Sequence, residues 1–140
     1  MTIDDLTSRL GRVLQGRPEV RLAFLFGSSV SRGVDLAKDV DVAIAFARPL
    51  TLLEQGSIAT QLEQVTEQEV DLIDLDAAST LLRWEVARSG VVLLARDHAE
   101  LIEFRTRVPL EYFDLEPFLN REAAGLRRAL EQSRWSSSKS

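Results

Sequence analysis

The segment DVDVAIAF, Asp39 to Phe46, has the apolar density of a buried strand, yet it opens with two aspartates one residue apart. Residues i and i+2 of a strand point to the same face. Asp39 and Asp41 therefore stand side by side, while Val40, Val42 and Ile44 turn the other way into apolar packing. Burying a carboxylate is costly, and two of them this close repel unless a cation neutralises them. An all-oxygen pair with no His or Cys nearby suits Mg²⁺ or Mn²⁺ rather than zinc. The plain alternative is a solvated strand end without a metal.

The strand before it, VRLAFLF from Val20 to Phe26, runs into Gly27-Ser28-Ser29. The stretch GSSVSRG then predicts a tight turn and one or two helical turns ended by Gly33. A helix N-terminus that follows a strand offers backbone N–H groups to an anion, and glycine lets a phosphate approach closely. Ser28 and Ser29 add hydroxyl donors, and Arg32 has the reach for a phosphate oxygen. A phosphate cradle on one strand end and a divalent-metal clamp on the next is what nucleotide transfer requires. A third carboxylate completes a two-metal site. The strand EVDLIDL offers Asp71 and Asp74, which lie on opposite faces; spacing leaves the choice open, and Asp76 is read as the cap of the next helix.

Periodicity supplies the frame. Leu6, Leu10, Val13 and Leu14 recur at helical spacing behind a Thr2/Asp5 capping box, giving a helix over 3–15 stopped by Gly16 and Pro18. Thr51 and Glu54 open a second helix to about Val65. Glu69 to Leu75 is a third strand, Ser79 to Ser89 a short helix closed by Gly90, and Val91 to Ala95 a fourth strand. Asp97 with Glu100 caps a helix running toward Pro109, and 110–130 reads as helical again, with Tyr112 and Phe113 as core. His98 reads as a surface residue, and Trp84 as packing rather than a base-stacking platform. The expected architecture is α+β: a small mixed sheet with packed helices and a helical C-terminal extension, all in one domain over 1–140. Its core spans about 1–96, its C-terminal helices about 97–134, and its frayed tail 135–140.

Composition removes several classes. With 22 acidic and 17 basic residues the net charge is −5, against general nucleic-acid binding. The bases are not evenly spread: Arg121, Arg127, Arg128, Arg134 and Lys139 outnumber Glu122 and Glu131 in the last twenty residues. There is no apolar run long enough for a membrane span and no signal-peptide pattern at the polar, acidic N-terminus. The absence of cysteine excludes disulfides and thiolate metal sites and is compatible with a cytoplasmic location.

Gly27-Ser28, ten residues, then Asp39-Val40-Asp41 resembles the GS-x10-DxD signature of the DNA polymerase beta-like nucleotidyltransferases. The small size, with no second substrate domain, is similar to the minimal nucleotidyltransferase (MNT) group, and EYFDLEPFL near the C-terminus resembles its MntA-type antitoxins. The resemblance implies that Gly27, Ser28, Ser29 and Arg32 bind the nucleotide. It implies that Asp39, Asp41 and Asp71 hold two Mg²⁺ ions, with Asp71 as ligand or base. Arg32 matches the arginine of the family's GSxARG form, with Ser31 where alanine is usual; Lys38 stands where many relatives have serine. The resemblance further implies transfer of AMP from ATP to a tyrosine of a partner HEPN-domain ribonuclease toxin; the sequence is compatible with a homo- or a hetero-oligomer and does not choose the oligomeric state. Two alternatives stand beside it: a nucleotidyltransferase acting on a small molecule such as an aminoglycoside, or on RNA, and an antitoxin that masks its toxin by binding alone, with a vestigial site.

Overall fold

The computed structural model describes residues 2–27, 30 and 39–113, and four strands and four α-helices of more than one turn stand among the described residues. Helix α1 (Ile3–Gln15) leads into β1 (Val20–Phe26) and then β2 (Asp39–Phe46). Helix α2 (Leu52–Thr66) crosses to β3 (Glu69–Asp74), and α3 (Thr80–Ser89) crosses back to β4 (Val91–Ala95). Helix α4 follows over 98–113. The sheet order is β3-β2-β1-β4. Only β2 and β3 run parallel; β1 is antiparallel to both its neighbours. This is the mixed α+β sheet expected from the sequence.

The two sheet faces carry separate cores. Val40, Val42 and Ile44 of β2 pack with Leu6, Leu10 and Leu14 of α1 and with Ile58 and Leu62 of α2. On the other face Ala43 and Ala45 join Phe24, Leu82 and Val86 of α3, and Leu101, Phe104 and Val108 of α4. Alanine at 43 and 45 leaves room for the large rings of Phe24 and Phe104, whose centroids are 5.2 Å apart. On α1, Gly11 permits close packing against the sheet, since a Cβ there would lie 2.9 Å from the Leu93 carbonyl oxygen.

Both predicted capping boxes form. The Thr2 hydroxyl accepts the Asp5 N–H at 3.1 Å and the Asp5 carboxylate accepts the Thr2 N–H at 3.1 Å. Thr51 and Glu54 do the same at 3.1 and 3.0 Å. The Glu54 carboxylate also takes Arg48 at 2.7 Å, and this bond, with the Thr51 N–H, holds its pKa down from 4.5 to about 2. A carboxylate with a depressed folded-state pKa stabilises the fold above its unfolded value and loses that contribution as pH falls through the folded value. Glu54→Gln is therefore expected to lower Tm at neutral pH and to flatten its decline between about pH 4.5 and 2, measured by thermal unfolding across that range. Thr51→Ala should cost about 1 kcal/mol in a urea melt.

Four expectations need correction. Strand β3 stops at Asp74, because the Asp74 carboxylate accepts the Asp76 N–H at 3.0 Å and turns Leu75–Ala77 into a short 3₁₀ helix. Asp76 does not cap α3; Ser79 does, accepting the Leu82 N–H at 3.2 Å, while Asp76 faces Arg21 at 3.6 Å. Asp97 caps α4 through the Ala99 N–H at 3.0 Å, but Glu100 turns away to Arg21 at 2.7 Å. Finally, α4 does not end at Pro109 and continues to residue 113. The donor that proline lacks would have served the Arg105 carbonyl, on a turn of exposed residues where solvent can take its place. The remaining C-terminal expectations, beyond residue 113, lie outside the described residues.

Candidate active site

A single register line crosses three strands. Phe26, the last residue of β1, is the partner of Asp41 on β2, and Asp41 is the partner of Asp71 on β3. Two residues earlier on β2, Asp39 stands opposite Glu69, the first residue of β3. Residues directly opposite one another in a sheet share a face, and Asp39, Asp41 and Asp71 thus face the same way, on the side where Ala43 and Ala45 meet α3 and α4. The three acids gather where the apolar lining of that face gives out, at one end of the sheet.

Burial differs among them. Asp41 is only 8% exposed, whereas Asp39 and Asp71 are half-buried and Glu69 is exposed. One carboxylate oxygen of Asp71 is shielded from solvent. Asp74, the alternative third acid, is the partner of Ile44 near the opposite end of the strands, where its carboxylate caps the 3₁₀ turn. Register thus separates two aspartates that spacing alone could not.

Gly27 follows Phe26 directly, next to this acidic end. Its φ of 80° lies in the left-handed region that a side chain would strain, and its carbonyl accepts the Val30 N–H at 3.1 Å. The chain therefore turns sharply off β1 beside the strand end that carries Asp39 and Asp41. Ser28, Ser29, Arg32 and Lys38 lie outside the described residues.

The donor set fits a hard divalent ion in kind: carboxylate oxygens alone, from adjacent strands, with part of Asp71 removed from water. Among the described residues, no three His, Cys, Asp or Glu side chains already converge as a metal cage. His98 is exposed at the start of α4, and Trp84 is half-buried, stacked on Tyr112 with centroids 4.5 Å apart. Tyr112 is half-buried, but Phe113 is 55% exposed, so the expectation that both are core holds only in part. Among the described residues, no helix is long and apolar enough to cross a membrane.

The family described as "Polymerase beta, Nucleotidyltransferase" matches residues 9–99, which run from the middle of α1 through all four strands. The protein adenylyltransferase MntA of Shewanella oneidensis is 33% identical over 73 residues, covering 52% of each chain; the matched segment spans about half the length of that relative. The protein adenylyltransferase MntA of Aphanizomenon flos-aquae is 25% identical over 125 residues, covering 82% of this chain and 83% of that one. In fold, the chain resembles one from the solved structure of tri-AMPylated Shewanella oneidensis HEPN toxin in complex with MNT antitoxin. The TM-score is 0.65 at 23% identity, covering 89% of this chain and 96% of that one. With the signature residues at the ends of β1 and β2 and the family match running through the whole sheet, the chain belongs to the polymerase beta nucleotidyltransferase family.

Proposed function

We infer that the chain is a protein adenylyltransferase serving as the antitoxin of a toxin–antitoxin pair, transferring AMP from ATP to a tyrosine of a partner HEPN-domain ribonuclease and so neutralising it. The observation that carries this reading is the line Phe26–Asp41–Asp71, with Asp39 on the same face and Gly27 turning beside it. Similarity to two MntA protein adenylyltransferases supports the choice of reaction, and the AMPylated HEPN toxin in the solved relative supports the choice of acceptor.

The reaction forms a bond between the tyrosine oxygen and the α-phosphorus of ATP. The bond from that phosphorus to the bridging oxygen breaks, and pyrophosphate leaves. Asp71 would assist removal of the phenolic proton. The Gly27 turn lets phosphate oxygens approach the backbone without meeting a Cβ, with Ser28, Ser29 and Arg32 as further donors. Two Mg²⁺ ions held by Asp39, Asp41 and Asp71 would neutralise the triphosphate and the charge on the entering and leaving oxygens. The largely buried Asp41 and the partly shielded Asp71 are suited to this, since a fixed carboxylate in a water-poor setting loses little to reorganisation.

Incubating the protein with ATP, Mg²⁺ and the HEPN protein encoded beside it, followed by intact mass of both, tests the reading. A mass increase of AMP units on the HEPN protein is expected. A tight complex without a mass change would mean an antitoxin that acts by binding alone. Neither a complex nor modification would point to a small-molecule or RNA acceptor. In the same assay Ser28→Ala should slow transfer about tenfold, the value of one hydrogen bond to a charged oxygen, because backbone donors remain.

A further inference from the structure

Arg21, Arg48 and Arg107 each pair with a carboxylate. Arg83, Arg88 and Arg105 on α3 and α4 have no carboxylate partner among the described residues, and each lies over an aromatic ring instead. Their guanidinium carbons are 5.5 Å from the Phe104 centroid, 4.6 Å from that of Trp84 and 5.6 Å from that of Phe24. Arg83 and Arg105 also donate to the Leu75 and Gly90 carbonyls at 2.7 and 2.9 Å. Arg88 is exposed and lies over the Trp84 ring. The Trp84 ring is covered on its two faces, by Arg88 and by Tyr112, which stacks at 19°. Phe113 meets Tyr112 edge-on at 5.8 Å, and beside this ladder Leu110 and Phe113 are 60% and 55% exposed.

This surface leads toward the acidic end of the sheet. Helix α4 starts at the far end, where Glu100 pairs with Arg21. By Arg105 it has reached Gly90, the residue before Val91, which is the β4 partner of Leu25. Leu110 and Phe113 lie about one and a half to two turns further in that direction, toward the strand ends that hold Asp39 and Asp41.

We propose that Trp84, Arg88, Arg105, Leu110 and Phe113 form the face on which the acceptor protein docks, and that the acceptor presents carboxylates around an apolar patch. The inference rests on the protein-adenylyltransferase reading for the acceptor's being a protein. Charge selects the occupant. The last twenty residues of this chain are basic and would meet Arg88 and Arg105 with like charge. A second copy docking through the same face would do likewise, since a two-fold interface sets a surface against itself. A nucleic acid would find cations and rings here, but also exposed aliphatic side chains on a chain of net charge −5. An acidic protein surface with an apolar centre matches Arg88 and Arg105 together with Leu110 and Phe113, and the acid between the last two, Glu111, is already paired with Arg107 at 3.3 Å. Trp, Tyr and Arg are the side chains that dominate such interfaces.

The test uses the full chain carrying Arg88→Glu with Phe113→Ser, and separately Leu110→Ser, which alters only an exposed side chain. Calorimetric titration with the HEPN protein encoded beside it should show Kd weakened about tenfold or more by the double variant. The salt dependence of wild-type binding should be reduced as well, while binding of a non-hydrolysable ATP analogue is unchanged. Wild-type affinity in both variants would overturn the proposal. So would a labelled single-stranded RNA that binds the wild type and not the double variant, or a wild-type dimer in solution that the double variant abolishes. Asp39→Asn/Asp41→Asn separates the two readings: it should bind the HEPN protein like wild type and transfer nothing. If no form transfers AMP yet the double variant still loses affinity, the adenylyltransferase reading fails and the docking face stands.

Discussion

Asp39→Asn combined with Asp41→Asn is expected to reduce AMP transfer by about three orders of magnitude or more, with the fold intact. Asparagine keeps the size of the side chain and removes the charge that a divalent ion requires; loss of one charge-stabilising group in an active site costs about 10²–10³-fold. Stability should stay nearly level, because asparagine has the volume of aspartate and keeps an acceptor oxygen at each position, including the 8% exposed Asp41. Transfer is read as intact mass of the acceptor over time, and stability as Tm without added metal. Wild-type transfer by the double variant would show that these acids hold no catalytic metal. A collapse in Tm would show instead that they are needed for the sheet.

The second large effect lies far from the acids. Arg96, just after β4, donates to four carbonyls: Val20 at 2.7 Å, Arg17 at 2.8 Å, Gln15 at 3.1 Å and Leu14 at 3.2 Å. Two of these belong to the last turn of α1, whose final carbonyls have no partner within the helix. One guanidinium thus ties the end of α1, the following turn and the start of β1 to the end of β4. Arg96→Met keeps most of the aliphatic stem and takes one donor from each of the four oxygens, of which Leu14 and Arg17 retain the backbone N–H groups of Arg17 and Val20 at 3.0 Å. It should cost about 2 kcal/mol, less than four charged hydrogen bonds would suggest, because two of the oxygens stay bonded and solvent reaches part of the site. Urea unfolding should show a lower midpoint with an unchanged m-value. Arg96→Lys should recover only part of the loss, since an ammonium cannot fork to four acceptors. Loss below about 0.5 kcal/mol for Arg96→Met would show that water already serves these carbonyls.

Much of the frame was legible because it is written locally. Both capping boxes place their reciprocal residues three apart, and Gly16, Gly90 and the Arg48-Pro49 pair punctuate the ends of elements. The face that Asp39 and Asp41 share follows from strand periodicity alone. What the sequence could not supply was anything set by pairing between distant segments. Asp71 and Asp74 are equivalent until the parallel register sets one against Asp41 and the other against Ile44. Glu100 sits at the ideal capping position but turns to Arg21, a residue on β1 that no local window contains. The span of Arg96 across four carbonyls leaves no periodic trace, and exposure of Leu110 and Phe113 depends on which side of α4 meets the sheet. Pro109 misled because a helix break was read from the residue and not from the solvent around the carbonyl it leaves.

The one parallel pairing in the sheet also sets an order of events. Strands β1 and β2 are sequence neighbours and can pair early, but Asp71 reaches Asp41 only after α2 has formed and crossed the sheet, about thirty residues later in the chain. Loop closure of that length is slow and comes after local structure. The acid line is thus later than the β1–β2 pair, while β4, which joins β1 by setting Val91 against Leu25 across a longer stretch of chain, comes later still. A chain emerging during synthesis would hold the Gly27 turn before it held Asp71, and would have made all three acids before β4 arrives to close the other edge of the sheet.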